Sequence, residues 1–306
     1  MQSNVYCLPD AYGTYLLRGH ILAGIAYGIV LTLSIHCSQL LMNRVLSSNT
    51  RTRQAILLLA YVICVFVLCT LMIASNAHYV QRYSSGCGQI DLSTNASSAV
   101  GAIGGAFGDT CYVLTNWAVD GLLIWRCLVI YQGSWSRRWI FLISILMFVC
   151  SFAVGSLLIV VAFRNSPFDA EPLPLYQVLW IHSSVSMGIN TVFTVAITGR
   201  LLVYRSRVTK LLGSKHGSHF ISIVNMMIES ASLVIMFLIP VVILCAQDTE
   251  VLVVPLQALS QIQAVASLWI IFRVAQGKAW TEDTSEELVS KSIAFRPEEP
   301  ESGNSS

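Results

Sequence analysis

Charge is what this chain has least of. Acidic and basic residues make up 11% of its 306 residues against 55% hydrophobic ones, whereas a soluble globular domain carries about 25% charged residues. A water-soluble reading is excluded at that level. The patterns of intramembrane enzymes are missing too: there is no Gly-x-Ser-Gly segment to present a nucleophilic serine and no His-x-x-x-His pair to hold a metal. Asp109 and Asp120 fall on one predicted helix about 16 Å apart at 1.5 Å per residue, too far to share a water as an aspartyl dyad must. No enzymatic reading survives, and no cofactor is implied. The nine cysteines are spread by depth and not grouped at zinc-ligand spacing, so no metal site is expected. No internal repeat is visible, which counts against a carrier built from two related halves. A net charge of +2 gives no footing for a nucleic-acid partner.

What the chain has in abundance is long apolar runs. An α-helix needs about 20 apolar residues to cross about 30 Å of hydrocarbon with every backbone group paired internally. Seven segments meet that need: Gly19 to Leu41, Ala55 to Ala77, Gly108 to Tyr131, Trp139 to Phe163, Leu175 to Val203, Phe220 to Cys245 and Val251 to Val274. The fold class is therefore all-α, a seven-transmembrane-helix bundle in a lipid bilayer.

Basic residues fix the expected orientation, because Lys and Arg are retained on the cytoplasmic side of short loops. Fifteen of the 18 fall at or near one side if the N-terminus is outside, leaving only Arg18, Arg82 and Arg164 on the other. Residues 1–18 then form an extracellular N-tail, residues 19–274 the bundle, and residues 275–306 a cytoplasmic, largely disordered tail. In that tail Thr284 and Glu287 have capping-box spacing for one short helix. The first apolar run is too long for the core of a cleaved signal peptide. The plasma membrane is the expected location. Asn95, in an Asn-Ala-Ser sequon of the expected loop from Gln81 to Ala99, is a candidate glycosylation site. Cys7, Cys87 and Cys111 stand at the oxidising side, where three pairings are open and Cys87 with Cys111 is favoured.

Polar residues inside the apolar runs are the candidate functional groups. Asp109, Asn116 and Asp120 fall within about 40° of one another at 100° per residue, so they share one face of the third helix. That face must meet protein or water, since an Asp at the centre of a span costs about 2.5–3.5 kcal/mol. Ser222, Asn225, Glu229 and Ser232 make a comparable stripe on the sixth helix, expected to point inward as well. Counted from the predicted helix ends, Asp120, Glu229, Asn190 and Gln261 fall at similar depth, which predicts a mid-membrane polar layer. Asp120, Arg126, Asn190 and Glu229 are the expected polar switch, with Arg126 either bridging to Glu229 or snorkelling to the inner interface. Asp109, Asn116, His182, Gln257 and Gln261 are the expected ligand-facing residues. Pro240 should kink the sixth helix.

Three segments carry a resemblance: Asp120-Gly-Leu-Leu-Ile-Trp-Arg126, Glu229-Ser-Ala-Ser-Leu233, and the run from Gln261 to Trp280. They resemble a large, lineage-expanded family of seven-helix membrane proteins in mushroom-forming fungi, which share the topology of G-protein-coupled receptors without assigned ligands. The likeness covers nearly the whole chain from the first helix to Trp280. It does not extend to receptor motifs, because the third helix does not end in Asp-Arg-Tyr and the seventh has no Asn-Pro-x-x-Tyr. The seventh helix also has no Lys for a retinal Schiff base, Lys278 coming after its end. The expectation is a receptor-like protein that senses a small ligand in an outward-facing cavity, switches its inner helix ends and meets a cytoplasmic signalling partner at its basic inner loops. The alternative is a small-solute or proton-coupled transporter that uses the acidic layer.

Overall fold

A computed structural model of the chain describes residues 10–47, 52–85, 95–131, 137–164, 175–212, 214–247 and 249–276. The described residues form seven long helices and no strand: α1 Asp10–Ser47, α2 Thr52–Ser85, α3 Asn95–Ile130, α4 Arg137–Arg164, α5 Leu175–Leu212, α6 Ser214–Ala246 and α7 Val253–Ala275. A 3-10 turn, Glu250–Leu252, leads into α7. All seven helices are long and apolar enough to span a membrane, so the chain is an integral, multi-pass membrane protein. A helix closes its backbone hydrogen bonds within itself, which is why an apolar run takes this form in lipid.

Several helices outrun the apolar runs that predicted them. α1 begins at Asp10, within the segment read as the N-tail. α2 continues to Ser85 and α3 starts at Asn95, so the loop expected from Gln81 to Ala99 is shorter and the Asn95 backbone opens a helix. The alanines at 96, 99 and 102 are strong helix formers hidden among glycine and serine. Pro240 stands inside α6, where it withdraws one backbone donor. The tail from residue 277, with Thr284 and Glu287, lies outside the described residues, as do Cys7 and Cys87.

The helices pack in chain order around a ring that α7 closes against α1, while α3 reaches across to α5 and α7. Burial ranks them: 78% of the α7 span is buried against 22% for α2 and for α4, and half of the α3 span is buried. α3 and α7 are therefore the central pair. At the start of α7 the approach to α1 is close enough to require Gly19, where a Cβ would stand 3.1 Å from the Val253 carbonyl oxygen. That contact puts the beginnings of α1 and α7 at one end of the bundle, here called the N-face; the opposite end is the C-face. Apolar packing surrounds the central pair at every level. Tyr112, Val113, Val241 and Leu259 pack towards the N-face, Val30, Val62, Val65 and Leu268 pack between α1, α2 and α7, and Ile189, Phe193, Ile197 and Ile270 pack between α5 and α7.

Candidate functional site

The site is built on α3. Phe107, Leu114 and Trp125 are its exposed large side chains, and at 100° per residue they lie within about 20° of one another, which marks the lipid side. The opposite arc carries Asp109, Tyr112, Asn116, Asp120 and Leu123. From Tyr112 onward this arc is buried, and Asn116 and Asp120 are fully so.

Asn116 ties three helices together. Its Oδ1 accepts hydrogen bonds from Gln263 Nε2 of α7 at 2.9 Å and from Ser186 Oγ of α5 at 3.1 Å. Its Nδ2 stands 3.3 Å from His182 Nε2, also on α5, so the imidazole accepts there and carries its proton on Nδ1. Gln263 Nε2 also reaches Ser186 Oγ at 3.4 Å, and Asn190 Nδ2 donates to the Ser186 carbonyl at 3.1 Å. Interhelical hydrogen bonds in membranes are worth about 0.6 kcal/mol on average and about 1.7 at most. Their larger role is to fix rotation, because turning any of the three helices would leave several buried polar atoms unpaired.

Asp120 faces a different neighbour. Its Oδ2 accepts from Ser151 Oγ of α4 at 2.7 Å, while Oδ1 is buried without a partner. One turn away, Trp117 Nε1 donates to the Ser151 carbonyl at 3.2 Å, and its ring stacks on Phe152 at 4.4 Å. This seam depends on Gly155, where a Cβ would come within 2.7 Å of Trp117 Nε1 and 2.8 Å of Val113 Cγ1.

Arg126 closes the arrangement towards the C-face. Its guanidinium is buried and donates from Nη2 to the Ile270 carbonyl of α7 at 3.2 Å. Between it and the Asn116 hub lies a small cavity lined by Asn190, Thr194, Ser230 and Ser267 among apolar side chains of α3, α5, α6 and α7. It offers about 20 Å³ to the centres of water molecules, room for about one.

Asp109 is the exception on its arc. It is exposed, yet it points to the same side as fully buried Asn116, two turns or about 10 Å deeper at 1.5 Å per residue. Accessible surface on this arc therefore reaches Asp109 and stops at Tyr112, which is 4% exposed. The neighbouring Gly108 is packed against α2, a Cβ there meeting Ser75 Oγ and Asn76 Oδ1 at 3.2 Å.

No family model matches the chain, and neither curated proteins nor solved structures give a match. The site is read from its own geometry.

That geometry brings together some of the residues singled out in the sequence and separates others. Asn116, His182 and Asn190 meet around Ser186. Glu229 does not join them: it is exposed, as are Asn225 and Ser232, on the face of α6 that continues through Met236 and Ile243. Three members of the expected inward stripe therefore turn outward, the Ser222 side chain lying outside the described residues, and the Asp120–Glu229 layer does not form. Shared spacing puts these residues on one face without saying which neighbours that face meets. Arg126 accordingly neither bridges to Glu229 nor snorkels to the bundle end. Gln261 turns to α2, donating to the Cys69 carbonyl at 3.1 Å, and Gln257 lies against α1 at Gly19, so neither meets Asn116. Cys111 is buried at the α3 core, and Cys87, its expected partner, lies outside the described residues.

Gln263, Ser186 and Ser151 were missed. Each carried a signal. Gln263 lies 200° around the helix from Gln261, so the run Ser260-Gln261-Ile262-Gln263 offers polar groups to two sides of α7. Ser186 falls on the face of α5 that His182 and Asn190 define at four-residue spacing, and Ser151 lies near the middle of the apolar α4 span.

Proposed function

We propose that the protein is a receptor-like membrane protein that admits a small ligand to a recess at its N-face and relays occupancy to the helix ends at its C-face. The observation that carries this reading is the one-sided opening along α3, with Asp109 exposed on the interior arc and Tyr112, Asn116 and Asp120 closed beneath it. A receptor needs a pocket on one side and a packed core that transmits strain; a carrier needs a path that reaches both. The transporter reading relied on carboxylates from α3 and α6 sharing an interior site, and exposed Glu229 removes that support.

The relay runs through polar contacts that cross helices. Ligand contact at the upper turns of α3 would bear on the Asn116 hub and so on α5 and α7. Further along, Asp120 with Ser151 and Arg126 with the Ile270 carbonyl hold α3 to α4 and α7. These are discrete contacts with made and broken states, which is what a two-state switch requires.

Basic residues at the C-face, among them Arg44, Arg138, Arg200 and Arg273, support a cytoplasmic C-face by the positive-inside rule. The recess then faces outward, most simply at the plasma membrane, and the basic C-face is available to a signalling partner. The likeness to the seven-helix proteins of mushroom-forming fungi fits this reading. Introducing Cys at 109 and, separately, at 116 and treating intact cells with a membrane-impermeant maleimide tests it. Asp109→Cys should label above the parent chain and Asn116→Cys should not. Labelling of both from either side would sink the receptor reading in favour of a carrier. Loss of a glycan-dependent gel shift in Asn95→Gln would independently support an extracellular N-face.

A further inference from the structure

We infer that the cavity enclosed by α3, α5, α6 and α7 binds a water molecule that ties α6 to α5 and α7 by hydrogen bonds. The inference goes beyond the receptor reading and does not depend on the N-face recess. Room is the first requirement. The cavity offers about 20 Å³ to water centres, more than the roughly 10–15 Å³ that one water needs.

Partners are the second requirement, since a buried water makes about three hydrogen bonds. Asn190 and Thr194 lie one turn apart on α5, Ser230 lies on α6 and Ser267 on α7, and all four line the cavity. Asn190 donates from Nδ2 to the Ser186 carbonyl, and no described residue gives its Oδ1 a donor. Ser267 Oγ donates to the Ala264 carbonyl at 2.9 Å and neighbours the Tyr61 hydroxyl of α2, so towards the cavity it acts as an acceptor. The two protons of a water suit the Asn190 and Ser267 oxygens, and the Thr194 hydroxyl can donate to it. Ser230 offers either a proton or a lone pair, whichever way its hydroxyl turns. The apolar walls, Val119, Leu122, Leu123 and Val234 among them, hold the water without competing for its hydrogen bonds.

The consequence falls on α6. Among the described residues Ser230 is the one buried polar side chain of that helix, and Ser232 bonds within its own backbone. Val234, Leu238 and Val241 pack α6 into the bundle, but apolar contact is non-directional and does not fix rotation. The Asn116 hub does fix α3, α5 and α7. The water therefore supplies directional contacts to the helix that the hub leaves out, through a molecule that can leave. Its departure frees α6 to shift while the other three stay in place. A cation is a poor occupant, because no lining residue is acidic and the buried Arg126 guanidinium lies one turn beyond Leu123 on α3. An apolar guest leaves the Asn190 oxygen and the hydroxyls without partners.

The test is brief X-ray radiolysis of the full chain in detergent, in water enriched in oxygen-18, read residue by residue by mass spectrometry. Radicals formed from a bound water oxidise the side chains beside it. Leu123, Val234 and Ile270 should therefore take up label, whereas Leu259 and Leu268, equally buried but away from the cavity, should not. Ala231→Val places extra methyl groups in the cavity and should abolish the label, and Ser230→Ala should lower it by removing the α6 partner. Label no higher than at Leu259, or label undiminished in Ala231→Val, overturns the water site; label undiminished in Ser230→Ala overturns the tie to α6. If Ala231→Val does not fold, Ser230→Ala and Thr194→Val decide: a fall in either supports the site, and no fall in both overturns it.

Discussion

The third and sixth helices carry polar side chains in the same helical rhythm and turn them in opposite directions. On α3, Asn116 and Asp120 are fully buried against α5, α7 and α4; on α6, Asn225, Glu229 and Ser232 are exposed in line with Met236 and Ile243. Place in the bundle separates the two cases. Asp120 lies well inside α3, which packs against α2, α4, α5 and α7, and lipid contact there would cost about 2.5–3.5 kcal/mol, so burial against protein is the cheaper state. α6 packs mainly against α5 and α7 and keeps an outer face, on which Glu229 is exposed. The inward face of α6 is apolar, and Val234, Leu238, Val241 and Cys245 fill it. Periodicity says that residues share a face; the helices packed around it say which way that face turns.

The largest test of this contrast is Asn116→Leu. It removes three contacts at once and leaves His182, Ser186 and Gln263 buried with fewer partners, so it should destabilise the bundle by about 2–5 kcal/mol, read as a fall in Tm in detergent. A loss as small as that of a surface substitution would mean that the hub does not hold the helices in rotation. Gly155→Ala comes next. Its new methyl meets the Trp117 and Val113 side chains and should cost about 1–3 kcal/mol through overpacking, with a matching change in Trp fluorescence as the ring leaves Phe152. Equal stability and an unchanged spectrum would show that α3 and α4 are not in close contact there.

How much of this was legible in the sequence depends on which quantity is asked for. Seven spans followed from the length of apolar runs, because the bilayer sets one length scale for all of them. The shared face of Asp109, Asn116 and Asp120 followed from helical geometry. The partners of that face did not, since they depend on which helix lies across from it: Ser151 sits in an otherwise apolar helix, and Gln263 differs from Gln261 only by the rotation of α7. The failure at Glu229 has the same root: its spacing with Asn225 and Ser232 was legible, but that α6 turns this face away from α5 and α7 was not.

Two serines make the sharpest matched pair. Ser151 donates to Asp120 in the buried seam, whereas Ser232 donates only to the Glu229 carbonyl of its own helix on the exposed face. Ser151→Ala leaves the Asp120 carboxyl without its hydroxyl partner and should cost about 1–3 kcal/mol. Ser232→Ala should stay within about 0.5 kcal/mol. Equal losses would erase the distinction between the two faces.

The smallest expected effect is that of Glu229→Gln. The carboxylate is exposed on the outer face of α6, so removing its charge releases no buried pair and creates none, and stability in detergent should move by no more than about 0.5 kcal/mol. A loss of about 3 kcal/mol or more, the size expected when a buried ion pair is broken, would instead place Glu229 inside the bundle with a charged partner and bring the two helices back into register as one polar layer.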